Sequence, residues 1–436
     1  MNARESVLPD PEPARFDFTS PLTIPGGGVT GAEVVRELPP EVALTAWQVL
    51  RSLLLWTGEA GEGRAGLFEP GAMEAWELQL LAEEFDPGLR LPLAVVVGEL
   101  ARGAAAAPER VAWGCLCVAE WALANGATAT ALVFAEAAAL SWPEHPRYAW
   151  TVGRLLRVHG RPREAEMWLR RAVRLAIRAG DGEAQVRALI ALGNLSIELG
   201  NFPEAKNLHT QAVRLARRSR LREPEAMALH ELFVVTTETN DSRKADEYAW
   251  KAFEAYGAQH PRIPSLAHDV AYYWMNNGYF SRALPIFTAL RESFDAPELQ
   301  FRVIANAARA AGALGERSVF ECLWAEAQAR QDQLENQSTL ACALVELALG
   351  ALNLREWDRA AEALKRAIVV AQARGEANVV HRAESLREAV RSQRFAEAWC
   401  MRAASTKSVT PADLLARSLV HSLQTTQWVA EVATSP

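Results

Sequence analysis

The chain has 436 residues, half of them hydrophobic and 23% charged, with a formal net charge of -7 at pH 7. This length and composition predict a folded protein with a large hydrophobic core and exclude a disordered chain. The acidic balance gives no reason to expect nucleic acid binding, which usually requires a basic domain or stripe. The charge is nevertheless uneven, because an acidic N-terminal region precedes an arginine-rich middle.

The five cysteines and the N-terminal residues narrow the class of protein further. The only close pair is Cys115 and Cys117, a pattern that favours buried free thiols in a reducing cytoplasm over disulfides or a zinc site. The first residues contain no apolar signal-peptide segment, and the most apolar run, residues 91–107, is interrupted by Glu99 and Arg102. We therefore expect a cytoplasmic protein without a membrane segment.

Residues 1–30 contain five prolines and three consecutive glycines, a composition that predicts a disordered or loosely docked leader. Residues 31–108 show helical periodicity without clear copies of a repeat, and we interpret them as a helical N-terminal cap or as degenerate repeats. Two apolar stripes carry this interpretation: Leu44, Trp47, Leu50, Leu54 and Leu55, and then Met73, Trp76, Leu80, Leu81 and Phe85.

A unit of about forty residues occurs twice in residues 147–216 and recurs more weakly across residues 109–375. One position of the unit is nearly always small: Ala131, Ala165, Ala205, Ala245, Ala283, Phe320 and Ala360. A small residue there lets two helices of a pair approach closely, and a bulky residue four positions later fills the space between pairs, as Leu169, Phe287 and Leu364 would. Glycine near the turn, as at Gly160, Gly200 and Gly278, permits the left-handed conformation that ends a helix. The pattern predicts an all-α stack of antiparallel helix pairs.

In the second copy, Leu192 and Gly193 are followed by Gly200, Phe202, Ala205 and Ala212. This order resembles the tetratricopeptide repeat family, in a variant with longer repeats of about 37–40 residues. The resemblance covers residues 109–375 and implies a right-handed superhelical solenoid of antiparallel helix pairs. It implies no particular activity, because the family uses one fold for many purposes.

The family's first helices line a concave groove, and the resemblance therefore implies a set of groove residues. Two asparagines of this set are suited to grip a peptide backbone, and two arginines are suited to grip a carboxylate. The carboxylate clamp of chaperone-binding members is not reproduced, because Ile190 stands four residues before Asn194. The alternative is that these residues are merely the solvated polar side of the helices. The set consists of Trp150, Arg154, Arg157, Asn194, Ile197, Glu198, His230, Thr237, Glu238, His268, Tyr272 and Asn276.

Two further features lie outside the groove. Six arginines (Arg161, Arg163, Arg170, Arg171, Arg174 and Arg178) fall mostly on a second helix, where they form either a patch for an acidic partner or an ordinary solvated face. Residues 376–404 predict a capping helix, and residues 405–436 a linker followed by an amphipathic helix with Thr410 as N-cap and Pro411 at its first position. The apolar side of this last helix comprises Leu414, Leu415, Leu419, Leu423 and Trp428. It could cap the solenoid, occupy the groove or mediate self-association.

The sequence holds no motif for catalysis, a metal or a cofactor. His230-Glu231 resembles the start of a metalloprotease motif, but Val234 occupies the position of the second histidine. We therefore predict a non-catalytic scaffold that binds a protein or peptide partner in its groove, without nucleic acid or membrane. The alternative is a peptide- or ligand-sensing regulator that signals through a change of superhelix shape, without a DNA-binding domain of its own. An enzyme within the first 100 residues is a third, unmotivated possibility.

Overall fold

The computed structural model describes residues 32–239, 241–331, 334, 339–395 and 410–425. Within these residues the regular elements are helices, without a β-strand. The predicted leader, the predicted linker, the end of the predicted capping helix and Trp428 lie outside the described residues. The chain divides into two compact units, Met1–Leu195 and Ser196–Pro436.

The first unit contains α1 to α8 and most of α9. Proline begins six of these helices, where its missing N–H costs no intrahelical hydrogen bond. The helices are α1 (Ala32–Glu37), α2 (Pro40–Gly58), α3 (Pro70–Ala82), α4 (Pro87–Ala101), α5 (Pro108–Ala124), α6 (Thr128–Ser141), α7 (Pro146–Val158), α8 (Pro162–Ala179) and α9 (Gly182–Glu198). Consecutive helices from α3 to α8 pack against each other, as expected of helix pairs joined by short turns.

The second unit contains the end of α9 and the helices up to α20. These are α10 (Phe202–Arg218), α11 (Arg222–Glu238), α12 (Ser242–Tyr256), α13 (Ile263–Asn276), α14 (Phe280–Leu290), α15 (Pro297–Leu314), α16 (Arg317–Gln331), α17 (Leu340–Asn353), α18 (Trp357–Arg374), α19 (Ala377–Ser392) and α20 (Pro411–Thr425). By the repeat register, α11, α13, α15 and α17 are first helices of pairs, and α12, α14, α16 and α18 are second helices. The first helices α15 and α17 also pack directly against each other.

The repeat signature behaves as predicted. The small position has an exposed fraction of 0% in every copy, and so have the bulky residues Leu169, Phe287 and Leu364. Gly160, Gly200 and Gly278 have φ values of 68°, 73° and 81°, which confirms the left-handed turn conformation. In the α17–α18 turn, Arg355 adopts φ 60° without being glycine.

Four residues predicted to lie on apolar stripes are exposed instead, with Leu81 and Leu414 at 42% and 48%. Leu44 and Leu55 of α2 are 57% and 53% exposed, because α2 meets α4 and α6 through a neighbouring face of the helix instead. That face is formed by Val42, Ala46, Val49 and Leu53. The free thiols are also not all buried, since Cys322 and Cys342 lie on the exposed sides of α16 and α17.

The C-terminal helix α20 lies on α14, with further contacts to α12 and α13. Its N-terminus is capped as predicted: the backbone N–H of Asp413 donates to the Thr410 hydroxyl over 3.2 Å, and that of Thr410 donates to the Asp413 carboxylate over 2.9 Å. Arg282 of α14 holds this end through an ion pair of 2.6 Å with Asp413. The helix therefore lies mainly on the second helix α14.

Candidate functional site

A row of polar side chains crosses the first helices of the second unit, and we call it the polar ladder. The hydrogen bonds between its helices join residues 33 to 39 positions apart, so each of them links one repeat to the next. Such a row is unusual because the other residues at the packed surfaces of these first helices are mostly apolar. Its members are His230, His268, Asp269, Tyr272, Asn276, Arg302, Asn306, Arg309, Glu346 and Arg382.

Asp269 is the centre of the first half of the ladder. Its two carboxylate oxygens pair with Nε2 of His230 over 3.0 Å and with Nδ1 of His268 over 3.1 Å. With Nδ1 of His268 donating to Asp269, its Nε2 is placed to accept from Nδ2 of Asn306, which lies 3.4 Å away. Burial alone would raise the pKa of Asp269, but the hydrogen bonds from the two histidines hold it well below its usual range. Asp269 is thus an anion, and 42% of its side chain remains exposed.

Arg309 and Glu346 form the second half. Nη1 of Arg309 donates to Asn276 over 2.9 Å and to Glu346 over 2.6 Å. The other carboxylate oxygen of Glu346 accepts from Arg382 over 2.9 Å. Arg309 and Glu346 are only 6% and 4% exposed, and a buried charge of this kind must be paired to be tolerated. Arg382 is 44% exposed, so its positive charge is accessible at the α19 end of the Arg309–Glu346–Arg382 group.

Tyr272 and Arg302 lie between the two halves. The ring of Tyr272 stacks on His268, with centroids 6.2 Å apart and planes 7° from parallel. Burial raises the pKa of Tyr272, and the carboxylate of Glu346 adds to the effect. Burial also lowers the pKa of Arg302, against the attraction of Asp269. The ladder therefore offers an aromatic ring together with charges of both signs.

The structure brings four of the predicted groove residues into the ladder: His230, His268, Tyr272 and Asn276. The others of this unit stand apart from its hydrogen bonds. The Thr237 hydroxyl donates to the Val234 carbonyl in its own helix over 2.7 Å, Glu238 is the exposed last residue of α11, and Ile197 and Glu198 end α9.

Six ladder residues were missed: Asp269, Arg302, Asn306, Arg309, Glu346 and Arg382. One signal could have found some of them. Arg309 and Glu346 are isolated charges in otherwise apolar segments of α15 and α17, and charges in such positions are almost always paired.

The remaining predicted groove residues belong to the first unit. Trp150, Arg154 and Arg157 lie on α7, where the Arg154 guanidinium is 5.3 Å from the centre of the Trp150 ring. Burial lowers the pKa of Arg154, and the like charge of Arg157 lowers it further. Asn194 lies half-buried on α9. The three α7 residues therefore bring two cations together with an aromatic ring, whereas the ladder carries charges of both signs.

The described residues can be examined for a metal site and for a membrane-spanning helix. No group of three or more His, Cys, Asp or Glu side chains among them is arranged to hold a metal ion. No helix among them combines the length and the apolar character needed to cross a bilayer.

Paired helices in repeat register, with a polar row along the first helices, define a helical-repeat scaffold of the protein-interaction type. Residues 147–218 match the family model described as tetratricopeptide repeat. This segment of the chain therefore consists of tetratricopeptide repeats. No curated protein matches it in sequence.

Solved structures are similar to this chain at low identity. A signal transduction ATPase with numerous domains and a tetratricopeptide repeat sensor, from Pyrococcus horikoshii, is 15% identical, with 91% of this chain and 69% of that chain covered and a TM-score of 0.51. A Rap protein complexed with competence and sporulation factor is 13% identical, with coverages of 79% and 99% and a TM-score of 0.47. PilF from Pseudomonas aeruginosa is 17% identical, with coverages of 58% and 98% and a TM-score of 0.39.

Proposed function

We propose that the first-helix face of the second unit, along the polar ladder, binds an extended segment of a partner protein and performs no catalysis. The observation that carries this proposal is the continuity of the ladder from α11 to α19. A segment that crosses the first helices meets the exposed anion Asp269 on α13 and the exposed cation Arg382 on α19, and the buried Arg309–Glu346 pair lies between these two points.

The dimensions of the helices indicate the length of this segment. Packed helices lie about 8 to 10 Å apart, and an extended chain advances about 3.3 Å per residue. A peptide therefore places about three residues over each repeat. From α13 to α19 this corresponds to about nine residues, with a basic side chain near Asp269 and an acidic one near Arg382.

Selection from a displayed library of linear peptides of about twelve residues, with the full chain as bait, tests the proposal. We expect the selected peptides to lose about tenfold in affinity, or about 1.4 kcal/mol, with Asp269→Asn and with Arg382→Gln. Arg387→Gln is the matched control, because Arg387 is exposed on α19 outside the ladder. Thermal unfolding of each variant shows that the fold is retained.

Two results contradict the proposal. In the first, the selected peptides bind all variants equally, which would place their site elsewhere. In the second, no peptide is enriched, which would leave the ladder as a structural network only.

A second candidate is a ligand-sensing regulator, and it rests on the same bonds. Since the ladder joins neighbouring repeats, a ligand that replaces one of its hydrogen bonds alters the spacing between these repeats. Small-angle scattering of the chain with and without a selected peptide separates the two candidates, because a simple scaffold keeps its radius of gyration.

A further inference from the structure

Helix α8 of the first unit has an exposed face that neither its packing nor the proposed function uses. Its buried side consists of Ala165, Leu169, Ala172, Leu175 and Ala176. Elsewhere on the helix, residues three or four positions apart form one row, which we call the α8 stripe. The α8 stripe contains Arg163, Met167, Arg170, Arg174, Ile177 and Arg178.

The α8 stripe combines charge with apolar surface. Met167 and Ile177 are 52% and 57% exposed, and ten helical residues place them about 15 Å apart along the axis. Methionine and arginine are both enriched in protein interfaces relative to the rest of the surface. A face built only for solubility has no need of two large apolar side chains among its arginines.

Part of the positive charge of the α8 stripe has no ion-pair partner among the described residues. Glu166 pairs with Arg170 over 2.8 Å. Within the described parts of the chain, Arg163 and Arg178 have no ion-pair partner. Burial lowers the pKa of Arg174, and the like charges of Arg178 and Arg170 add to this effect. An anionic partner would relieve this repulsion.

The second unit shows how this chain covers the face of a second helix. There α20 packs Leu415, Leu419 and Leu423 toward the core, and its Asp413 pairs with Arg282 of α14. In this fold, the exposed face of a second helix can therefore be covered by an amphipathic helix that supplies both apolar and acidic side chains.

We propose that the α8 stripe docks an acidic amphipathic helix of a partner protein. Two apolar side chains of that helix cover Met167 and Ile177, and its carboxylates pair with Arg163 and Arg178. A membrane surface fits less well, because the main apolar side of α8 is already buried in the repeat and is not available for insertion. This surface is independent of the polar ladder, so either proposal can fail without the other.

The test uses the full chain and a labelled helical peptide of about twenty residues made of Glu, Ala and Leu, with leucines ten positions apart on one face. We expect binding at about 150 mM salt, and a rise in Kd of about tenfold for Arg163→Glu combined with Arg178→Glu. Met167→Ser combined with Ile177→Ser leaves the charge unchanged and should raise Kd about fivefold through lost apolar contact. All four side chains are exposed, so the variants should fold normally.

The matched control is Arg387→Glu combined with Arg391→Glu, which changes the net charge by the same amount on the exposed side of α19. A similar loss of affinity in this control would mean that only the overall charge attracts the peptide, and it would overturn the proposal. So would the absence of measurable binding to the unmodified chain. Tighter binding of anionic vesicles or of a DNA duplex than of the peptide, lost with the same arginines, would assign the stripe to another class of partner and also overturn it.

Discussion

Replacement of His209 by leucine should stabilise the protein and remove part of its sensitivity to acid. His209 of α10 has an exposed fraction of 0%, and neither ring nitrogen has a hydrogen-bond partner among the described residues. It occupies the bulky position of the repeat, where Leu169 and Leu364 stand in other copies. A buried polar group without a partner costs about 1 to 3 kcal/mol, so His209→Leu should raise the free energy of unfolding by that amount at pH 7.

The pH dependence follows from the same burial, which lowers the pKa of His209 to about 3. Since the unfolded chain has the ordinary value of about 6.5, it binds more protons than the folded chain below that pH. Stability therefore falls as the pH drops from about 6.5 toward 3, by about 2 kcal/mol at pH 5. In His209→Leu this contribution disappears.

Urea unfolding followed by circular dichroism at pH 7 and at pH 5 measures both effects. His381→Leu is the matched control, because His381 is exposed on α19. The reasoning is refuted if His209→Leu gains no stability at pH 7, or if it loses as much stability between pH 7 and pH 5 as the unmodified chain.

Three further predictions concern single positions. Burial raises the pKa of Glu136 to about 8, so this carboxyl stays protonated in the folded chain at pH values where it is ionised in the unfolded chain, and stability falls as the pH rises from about 4.5 to 8. Glu136→Gln should therefore raise the thermal midpoint at pH 8 and change it little at pH 4. An equal gain at both pH values would contradict this. A Cβ at Gly312 would overlap the carbonyl oxygen of Gly350, so Gly312→Ala should lower the free energy of unfolding in urea by about 1 to 3 kcal/mol. The control Gly58→Ala should lower it little, because a Cβ at Gly58 meets open space. Equal effects of the two variants would exclude the overlap as the cause. Arg355→Gly should raise the free energy of unfolding by about 0.5 kcal/mol, because glycine adopts the left-handed backbone conformation without strain. A loss of stability in the same assay would show that the arginine makes a compensating contact.

The helix pairs could be predicted because their signature is local. A small residue at one position and a glycine at the turn act within about forty residues, and each copy repeats the evidence. The buried face of α2 could not be predicted in the same way. Leu44 and Leu50 fit one apolar stripe, but the side of the helix that is covered depends on the placement of α4 and α6, which no periodicity in α2 encodes.

Only those residues of the candidate site that stand at fixed positions of the repeat could be predicted from the sequence. The register pointed to His268 and Tyr272, because they stand at first-helix positions that the family resemblance assigns to the groove. It did not identify Asp269, since a pairing with His230 depends on how two repeats are rotated against each other. Arg309 and Glu346 were likewise missed, although each is an isolated charge in an apolar helix.

The attachment of α20 has a consequence for the order of folding. Every hydrogen bond of the polar ladder closes a loop of fewer than forty residues, whereas Arg282 pairs with a residue 131 positions later. Closing the longer loop costs about 1 kcal/mol more, and α20 is also the last described helix to leave the ribosome. The repeats can therefore form while the outer face of α14 is still bare. During synthesis this face is transiently exposed to other proteins, and the time that it stays uncovered depends on how soon residues 411–425 are synthesised.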